Sequence, residues 1–243
     1  MDRPPDRPLE RRAAARTAVV WEAVHQLLAS TPNSTVVDIG GGTGGIAVRV
    51  AELGHRVSVI DPSPDALAAL DRRGHECGVA DRLTGQQGDL ADLLDLVAPG
   101  SADLVLCHGV LGIVEDPVAG LTTISRVLAP DGTLSLLVGQ RHAAVLARAM
   151  AGHFDQARAL LDAQQGLPER RFTATELTTL LEQTGFTTDR IHAIRVFADL
   201  VPSALLDLEP GAAAALLDLE RAVADRPEYF SLAAQLHVLA GCS

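Results

Sequence analysis

The chain has no lysine. All twenty of its basic residues are arginine, against thirty-one acidic ones, and the net charge over 243 residues is −11. An acidic field of that size disfavours nonspecific binding to nucleic acid, whose phosphates need local cationic density, although it leaves room for one basic patch. Cysteine is scarce as well: Cys77, Cys107 and Cys242 are odd in number, far apart and form no CxxC pair. Neither a disulfide framework nor a zinc site is suggested, and the usage fits a reducing compartment. The eight histidines show no ligand spacing with cysteine or acid, which disfavours a metal-dependent enzyme. No run approaches the ~18 apolar residues needed to span a membrane. The opening segment, rich in arginine and proline, lacks the apolar core of a signal peptide. The expectation is therefore a cytoplasmic protein without metal or membrane. A hydrophobic fraction of 47% and a charged fraction of 21% suit one large α/β core with elaborations.

What is present is organised around residues 35–45, TVVDIGGGTGG. A short β-branched run carrying Asp38 breaks into Gly40, Gly41, Gly42, Gly44 and Gly45, and helical spacing resumes over residues 46–53. This reads as strand, tight turn, helix. Glycine is needed where the backbone takes positive φ and where a ligand must approach main-chain atoms closely. The helix start then offers free N–H groups and its dipole to the polar end of that ligand. Asp61 closes the next strand, residues 56–60, about the ~20 residues on at which a ribose-binding carboxylate is expected. Together these features point to a cofactor with an adenosine moiety.

Along the chain, apolar positions Val20, Val24, Leu27 and Leu28 give a helix over residues 9–29 ahead of the first strand. Helices over 46–53 and 64–73 flank the strand ending at Asp61, a rhythm that implies a parallel sheet with right-handed crossovers. A third strand over 83–87 leads through Gly88 and Asp89 into a helix over 90–97. Residues 102–107 are hydrophobic throughout and form a central strand, with His108 at its end. A helix through Leu128 and a turn at Pro130-Asp131-Gly132 precede a fifth strand over 133–138. Residues 140–171 are helical in pattern and carry Arg141, Arg148, Arg158, Arg170 and Arg171. Lying after a central strand, where ligands bind in open α/β sheets, this segment reads as a lid or substrate wall. A helix over 173–184 starts at Thr173 or Thr175, a sixth strand covers 191–198, and an Ala/Leu-rich helix covers 210–223. Residues 229–240 carry a mixed pattern that fits no element cleanly. The organisation expected is a helical cap at 1–30, a cofactor-binding core at 31–139, a helical substrate insertion at 140–185, and C-terminal strands and helix at 186–243.

GxGxxG alone, met by Gly40, Gly42 and Gly45, is shared by many nucleotide binders. The fuller set, with Asp38 before the first glycine, Asp61 after the second strand, Gly88-Asp89 after the third and Asp103-Leu104-Val105-Leu106 on the fourth, resembles the ordered motifs of class I S-adenosylmethionine-dependent methyltransferases. That resemblance implies a three-layer, doubly wound, mostly parallel seven-stranded sheet of Rossmann-like type, with S-adenosyl-L-methionine as cofactor. It implies that Gly40, Gly41 and Gly42 lie against the methionyl part, that Asp38 belongs to the cofactor site, that Asp61 takes the ribose hydroxyls, and that Gln87, Gly88 and Asp89 lie against adenine. Asp89 reads equally well as a helix N-cap.

Four further stretches resemble the tRNA 5-carboxymethoxyuridine methyltransferase family: residues 16–21 (RTAVVW), 108–111 (HGVL) with Glu115-Asp116-Pro117, 151–155 (AGHFD), and Arg195-Val196-Phe197 with His237-Val238. The resemblance implies cofactor contacts from Arg16 and His108, and methylation of a carboxylate on a wobble uridine of tRNA. Arg16 also reads as one more arginine on a solvated helix, and His108 as a satisfied core histidine. A carboxylate is ionised at neutral pH and needs no general base, so His108 would act as a base only on a hydroxyl or amine. The chain departs from the family where a lysine-rich run is replaced by Pro168-Glu169-Arg170-Arg171; Arg170 and Arg171 remain candidates for holding an anionic substrate. Two alternatives stay open: a small-molecule acceptor of metabolite type, and a catalytically silent cofactor-binding partner subunit.

Overall fold

The computed structural model describes residues 8–162, 169–202, 205–206 and 211–242, with side chains in the first helix described from Thr17 onward. Its elements run α1 (Pro8–Ala29), β1 (Thr35–Ile39), α2 (Ala47–Glu52), β2 (Arg56–Asp61), α3 (Pro64–Glu76), β3 (Leu83–Gln87), α4 (Leu93–Leu96), β4 (Ala102–His108), α5 (Pro117–Val127), β5 (Leu128–Gly139), α6 (Arg141–Met150), α7 (Phe154–Asp162), α8 (Ala174–Gln183), β6 (Phe186–Ile194), α9 (Ala212–Ala224), a 3-10 turn (Pro227–Tyr229) and β7 (Gln235–Cys242). The strands form one seven-stranded sheet in the order β3-β2-β1-β4-β5-β7-β6. The first five are parallel, and β7 runs antiparallel to both β5 and β6. This is the doubly wound, mostly parallel architecture expected, and its topological switch point lies between β1 and β4, where α/β sheets bind ligands at the strands' carboxyl ends.

Both faces of the sheet are covered. On one, Leu134, Leu136, Val138, Leu236 and Val238 pack with Leu121, Ile124, Leu177 and Leu181 from α5 and α8. On the other, Val36, Val57, Leu104 and Leu106 pack with Val24 and Leu28 of α1 and Val48 of α2. Central strands buried on both sides read as continuous apolar runs, and β4 does.

Several boundaries differ from expectation for physical reasons. The Pro130-Asp131-Gly132 signal does not precede β5 but is looped out inside it: Ala102 pairs with Leu128 and Leu104 with Thr133, so a bulge absorbs the extra residues. β6 spans Phe186–Ile194, starting five residues before the predicted position and ending earlier. Its polar stretch Thr187-Thr188-Asp189-Arg190 reads as loop in sequence, but it is the edge of the sheet, where polar side chains face solvent. The strand stops at Arg195, whose φ of 61° breaks the extended run. Residues 235–242 within the unassigned tail are β7, enclosed between two neighbours. Helix α4 is only Leu93–Leu96, shorter than expected. The segment expected to be a lid or substrate wall forms two helices, α6 and α7, joined through Gly152 at φ 78°. Thr173 caps α8 in a reciprocal box with Glu176, whose carboxylate also pairs with Arg141.

Candidate functional site

At the carboxyl edge of β1 the chain leaves the sheet through Gly40 (φ 69°) and Gly42 (φ 55°), conformations that favour glycine. The turn is pinned to the next strand. The Gly40 N–H donates to Ile60 O at 2.7 Å. Asp61, only 7% exposed, accepts from Gly42 N–H with one carboxylate oxygen and from Ser63 N–H with the other, each at 2.9 Å. A carboxylate offers about four lone-pair positions, so two such bonds leave Asp61 able to take a vicinal diol. The second β2 neighbour, β3, brings Gln87 and Gly88 to the same edge. The Gln87 side-chain amide donates to Pro62 O at 3.3 Å, and Gly88 N–H donates to Asp61 O at 3.3 Å. Asp89 accepts from Ala91 N–H at 2.7 Å, a local turn-capping bond.

Asp38 sits one layer below the turn. A Cβ on Gly41 would lie 2.5 Å from its Oδ2, so only glycine lets the turn close over the carboxyl. Burial, reinforced by the negative charge of Asp61, pushes the Asp38 carboxyl up to about 7. Cys107, on the neighbouring strand, is buried and its thiol is pushed up to about 12, mainly by that burial. It is therefore inert as a nucleophile near neutrality.

Ile39 pairs with Cys107 across β1 and β4, which sets His108 beside the first glycine of the turn. The His108 Nε2 bonds to Ser135 Oγ at 2.9 Å. Burial drives the imidazole down to about 4, so it is neutral at physiological pH. Ser135 continues to His237 and His237 to His192, a run of polar residues that sequence reasoning missed. Arg16 lies on α1, and its side chain is outside the described residues.

The substrate-wall arginines separate. Arg171 pairs with Glu169 at 2.8 Å and lies against Gly139 at the end of β5. It lines a cavity of about 700 Å³ between α6, α7 and the ends of β5 and β7, together with Arg148, Arg195, Phe197 and Gln235. Arg170 is not among the residues that line it: its main-chain N–H donates to Gly112 O at 2.6 Å, and its buried Nη1 has no hydrogen-bond partner among the described residues. Arg195 and Gln235 are further cavity residues that the sequence did not single out as site residues. Arg195 carried a legible signal only as part of the Arg195-Val196-Phe197 stretch; its positive φ is visible only in the fold. The corner it begins is tied down by Glu220 of α9, buried at 1% exposure, which accepts from the N–H groups of Val196, Phe197 and Ala198 at 2.9, 2.9 and 2.7 Å.

Among the described residues no group of three or more His, Cys, Asp or Glu is placed to hold a metal ion. No helix among them is long and apolar enough to cross a membrane.

The sheet order, with a glycine turn and buried acids at its switch point, defines a Rossmann-like protein of the class I methyltransferase type. Residues 37–134 match the methyltransferase domain family. The chain is similar to the tRNA 5-carboxymethoxyuridine methyltransferase of Escherichia coli (strain K12), at 29% identity over 237 residues covering 93% of this chain and 87% of that one. It is also similar to the ubiquinone biosynthesis O-methyltransferase of Xanthomonas campestris pv. campestris, at 34% identity over 122 residues, 50% of this chain and 49% of the relative. In fold it matches magnesium protoporphyrin IX methyltransferase from Synechocystis PCC 6803, solved with bound SAH, with a TM-score of 0.65 at 17% identity, covering 100% of this chain and 90% of that one.

Proposed function

We propose that the protein is an S-adenosyl-L-methionine-dependent methyltransferase that esterifies a carboxylate, and that the carboxylate is that of 5-carboxymethoxyuridine in tRNA. The observation that carries the reading is the similarity to the E. coli tRNA enzyme along 93% of the chain, well beyond the cofactor half. The state of His108 supports it. A histidine held down to about 4 by burial is a poor base for a hydroxyl or amine, whereas a carboxylate needs none. The acceptor is ionised, the cofactor supplies an electrophilic methyl on a cationic sulfur when bound, and the charges cancel on transfer. What the protein contributes is alignment and exclusion of water.

In this reading Gly40, Gly41 and Gly42 give the cofactor's polar end access to main-chain N–H groups, and Asp38 lies beneath it. Asp61 orients the ribose, while Gln87, Gly88 and Asp89 border adenine. Arg16 and His108 flank the methionyl group. The α6–α7 insertion forms the acceptor wall, with Arg171 facing the anionic substrate and Arg170 supporting the segment from behind. A tRNA substrate would place the enzyme in the cytoplasm.

A small-molecule acceptor is the second reading. The cavity of about 700 Å³ has Leu146, Leu160, Phe197, Leu200 and Leu232 in its walls, which suits a partly apolar metabolite, and the net charge of −11 opposes a polyanion. One experiment separates the two: transfer of labelled methyl from S-adenosyl-L-methionine to tRNA that contains 5-carboxymethoxyuridine, followed by nucleoside mass analysis. Gain of one methyl on that nucleoside establishes the tRNA reading. Absence of transfer, with the cofactor bound, shifts the acceptor to a small acid or hydroxyl compound.

A further inference from the structure

His108, Ser135, His237 and His192 lie on different strands yet share one face of the sheet. Leu106 pairs with Ser135, His108 and His237 each pair with Leu137, and His192 pairs with His237. Paired residues point to the same side and alternate residues return to it, so the four side chains form a stripe across β4, β5, β7 and β6. The stripe is hydrogen-bonded from His108 to His192, and a charge contact continues it to Asp225. His108 Nε2 meets Ser135 Oγ at 2.9 Å, and Ser135 Oγ meets His237 Nε2 at 2.8 Å. His237 Nδ1 then meets His192 Nδ1 at 3.0 Å, and His192 Nε2 reaches Asp225 Oδ1 at 3.3 Å. Ser135 and His237 are fully buried and His192 nearly so, while Asp225, the C-cap of α9, is exposed.

Each link holds one proton, and the exposed end decides its direction. The negative charge of Asp225 favours a proton on the ring nitrogen that faces it, so His192 carries its proton on Nε2 and leaves Nδ1 bare. His237 must then donate from Nδ1 and accept at Nε2. Ser135 donates to His237 and accepts from His108 Nε2–H. The last consequence falls on His108, whose strand position is beside the glycine turn: its Nδ1 is left without a proton.

We propose that Asp225 is a remote positioning residue that, through His192, His237 and Ser135, holds His108 as the Nε2–H tautomer and presents Nδ1 as a hydrogen-bond acceptor to a donor on the cofactor. The acceptor suits the α-ammonium of the methionyl group, which has N–H donors and a positive charge and would be repelled by an N–H on the same ring atom. The tautomer half of this inference stands on the hydrogen-bond chain and the charge contact that ends it; the ligand half rests on the cofactor reading given above.

The test is ¹⁵N NMR of histidine-labelled protein, which distinguishes the two neutral tautomers by the nitrogen shifts, with Asp225→Lys and Asp225→Glu as variants. Asp225 is exposed, so neither change disturbs the core. In the native protein His108 is expected as Nε2–H. In Asp225→Lys the anchor becomes a donor, the chain reverses or loses its direction, and His108 shifts wholly or partly to Nδ1–H. Affinity for S-adenosylhomocysteine is then expected to weaken about tenfold, the loss of one charged hydrogen bond, and Asp225→Glu to restore it. Finding His108 as Nδ1–H in the native protein, or unchanged in Asp225→Lys, overturns the proposal. A reversed tautomer with unchanged affinity overturns its ligand half. If the native protein fails to bind S-adenosylhomocysteine, the cofactor reading itself fails, while the tautomer spectra still decide the chain.

Discussion

The two ends of the sheet place polar groups by opposite means. At the β1–β2 end, the backbone and two carboxylates do it locally: Asp61 reaches Gly42, 19 residues away, and Ser63, two residues away. At the β5–β7–β6 end, side chains do it over long separations: Ser135 meets His237, 102 residues on, and His192 meets His237, 45 residues on. A local arrangement tolerates variation elsewhere in the chain. A non-local one exists only if the antiparallel strands are in register, and so it ties the site to the stability of the C-terminal part.

The variant expected to break the comparison most severely is Glu220→Ala. It strands three backbone N–H groups at the Val196–Ala198 corner, at ~1–3 kcal/mol for each group left unsatisfied, so an overall loss of about 3 kcal/mol or more is expected. Urea denaturation checks it. The glycine turn is remote from this corner, so the cofactor affinity of the folded fraction should stay near that of the native protein.

The next largest effect is on the ligand at the other end. Asp61→Ala removes the acceptor for Gly42 and Ser63 and, on the proposed reading, the ribose contact, so the cofactor dissociation constant should rise tenfold or more, from ~1.5–3 kcal/mol per hydrogen bond to a charged group. An unchanged constant, measured by calorimetry, would remove Asp61 from the site.

Acid sharpens the comparison because the two ends respond with opposite signs. The His108 imidazole is lowered to about 4, and His192 and His237 are lowered too. Below ~6.5 the unfolded chain takes up protons that these rings resist, for His108 down to about 4, so their contribution to stability falls as pH falls. Asp38 does the reverse. Raised to about 7, its carboxyl keeps in the fold a proton that the unfolded chain gives up above ~4, so acidification from 7 favours the native state. At ~1.4 kcal/mol for each tenfold change in proton affinity, the His108 and Asp38 contributions are similar in size and nearly cancel. His192 and His237 leave a net loss on acidification. Denaturation midpoints between pH 7 and 5 should therefore decline, and His237→Leu should flatten the decline; a rising midpoint contradicts the buried histidine stripe.

This contrast also explains what the sequence disclosed. The glycine turn, Asp38, Asp61 and the strand rhythm were legible because strand, turn and helix there are set by neighbours within some twenty residues. The register of β7 between β5 and β6 is decided by pairing partners far along the chain, so residues 229–240 gave no clean period. His192 and His237 looked like isolated histidines. The bonds joining them depend on which strands become adjacent, and no spacing in the sequence encodes that. Arg170 and Arg171 look equivalent as neighbours, and only the fold separates them.

The smallest effect comes from that pair. Arg171 faces the cavity but is already paired with Glu169, each side chain about one-quarter to two-fifths exposed (27% and 43%). An exposed pair contributes little, ~0–1 kcal/mol, so Arg171→Gln should leave the stability of the fold nearly unchanged. Its part in holding an anionic acceptor should appear as a KM raised about three- to tenfold with kcat preserved, because the contact is made equally before and during transfer. Arg170→Gln should behave differently. Its N–H bond to Gly112 O is a main-chain contact and survives the change, while its buried, unpaired Nη1 is removed. Stability should hold or rise slightly, and KM should not move. Were Arg170→Gln to raise KM and Arg171→Gln to leave it alone, the acceptor would sit on the Gly112 side of β5 and not in the α6–α7 cavity.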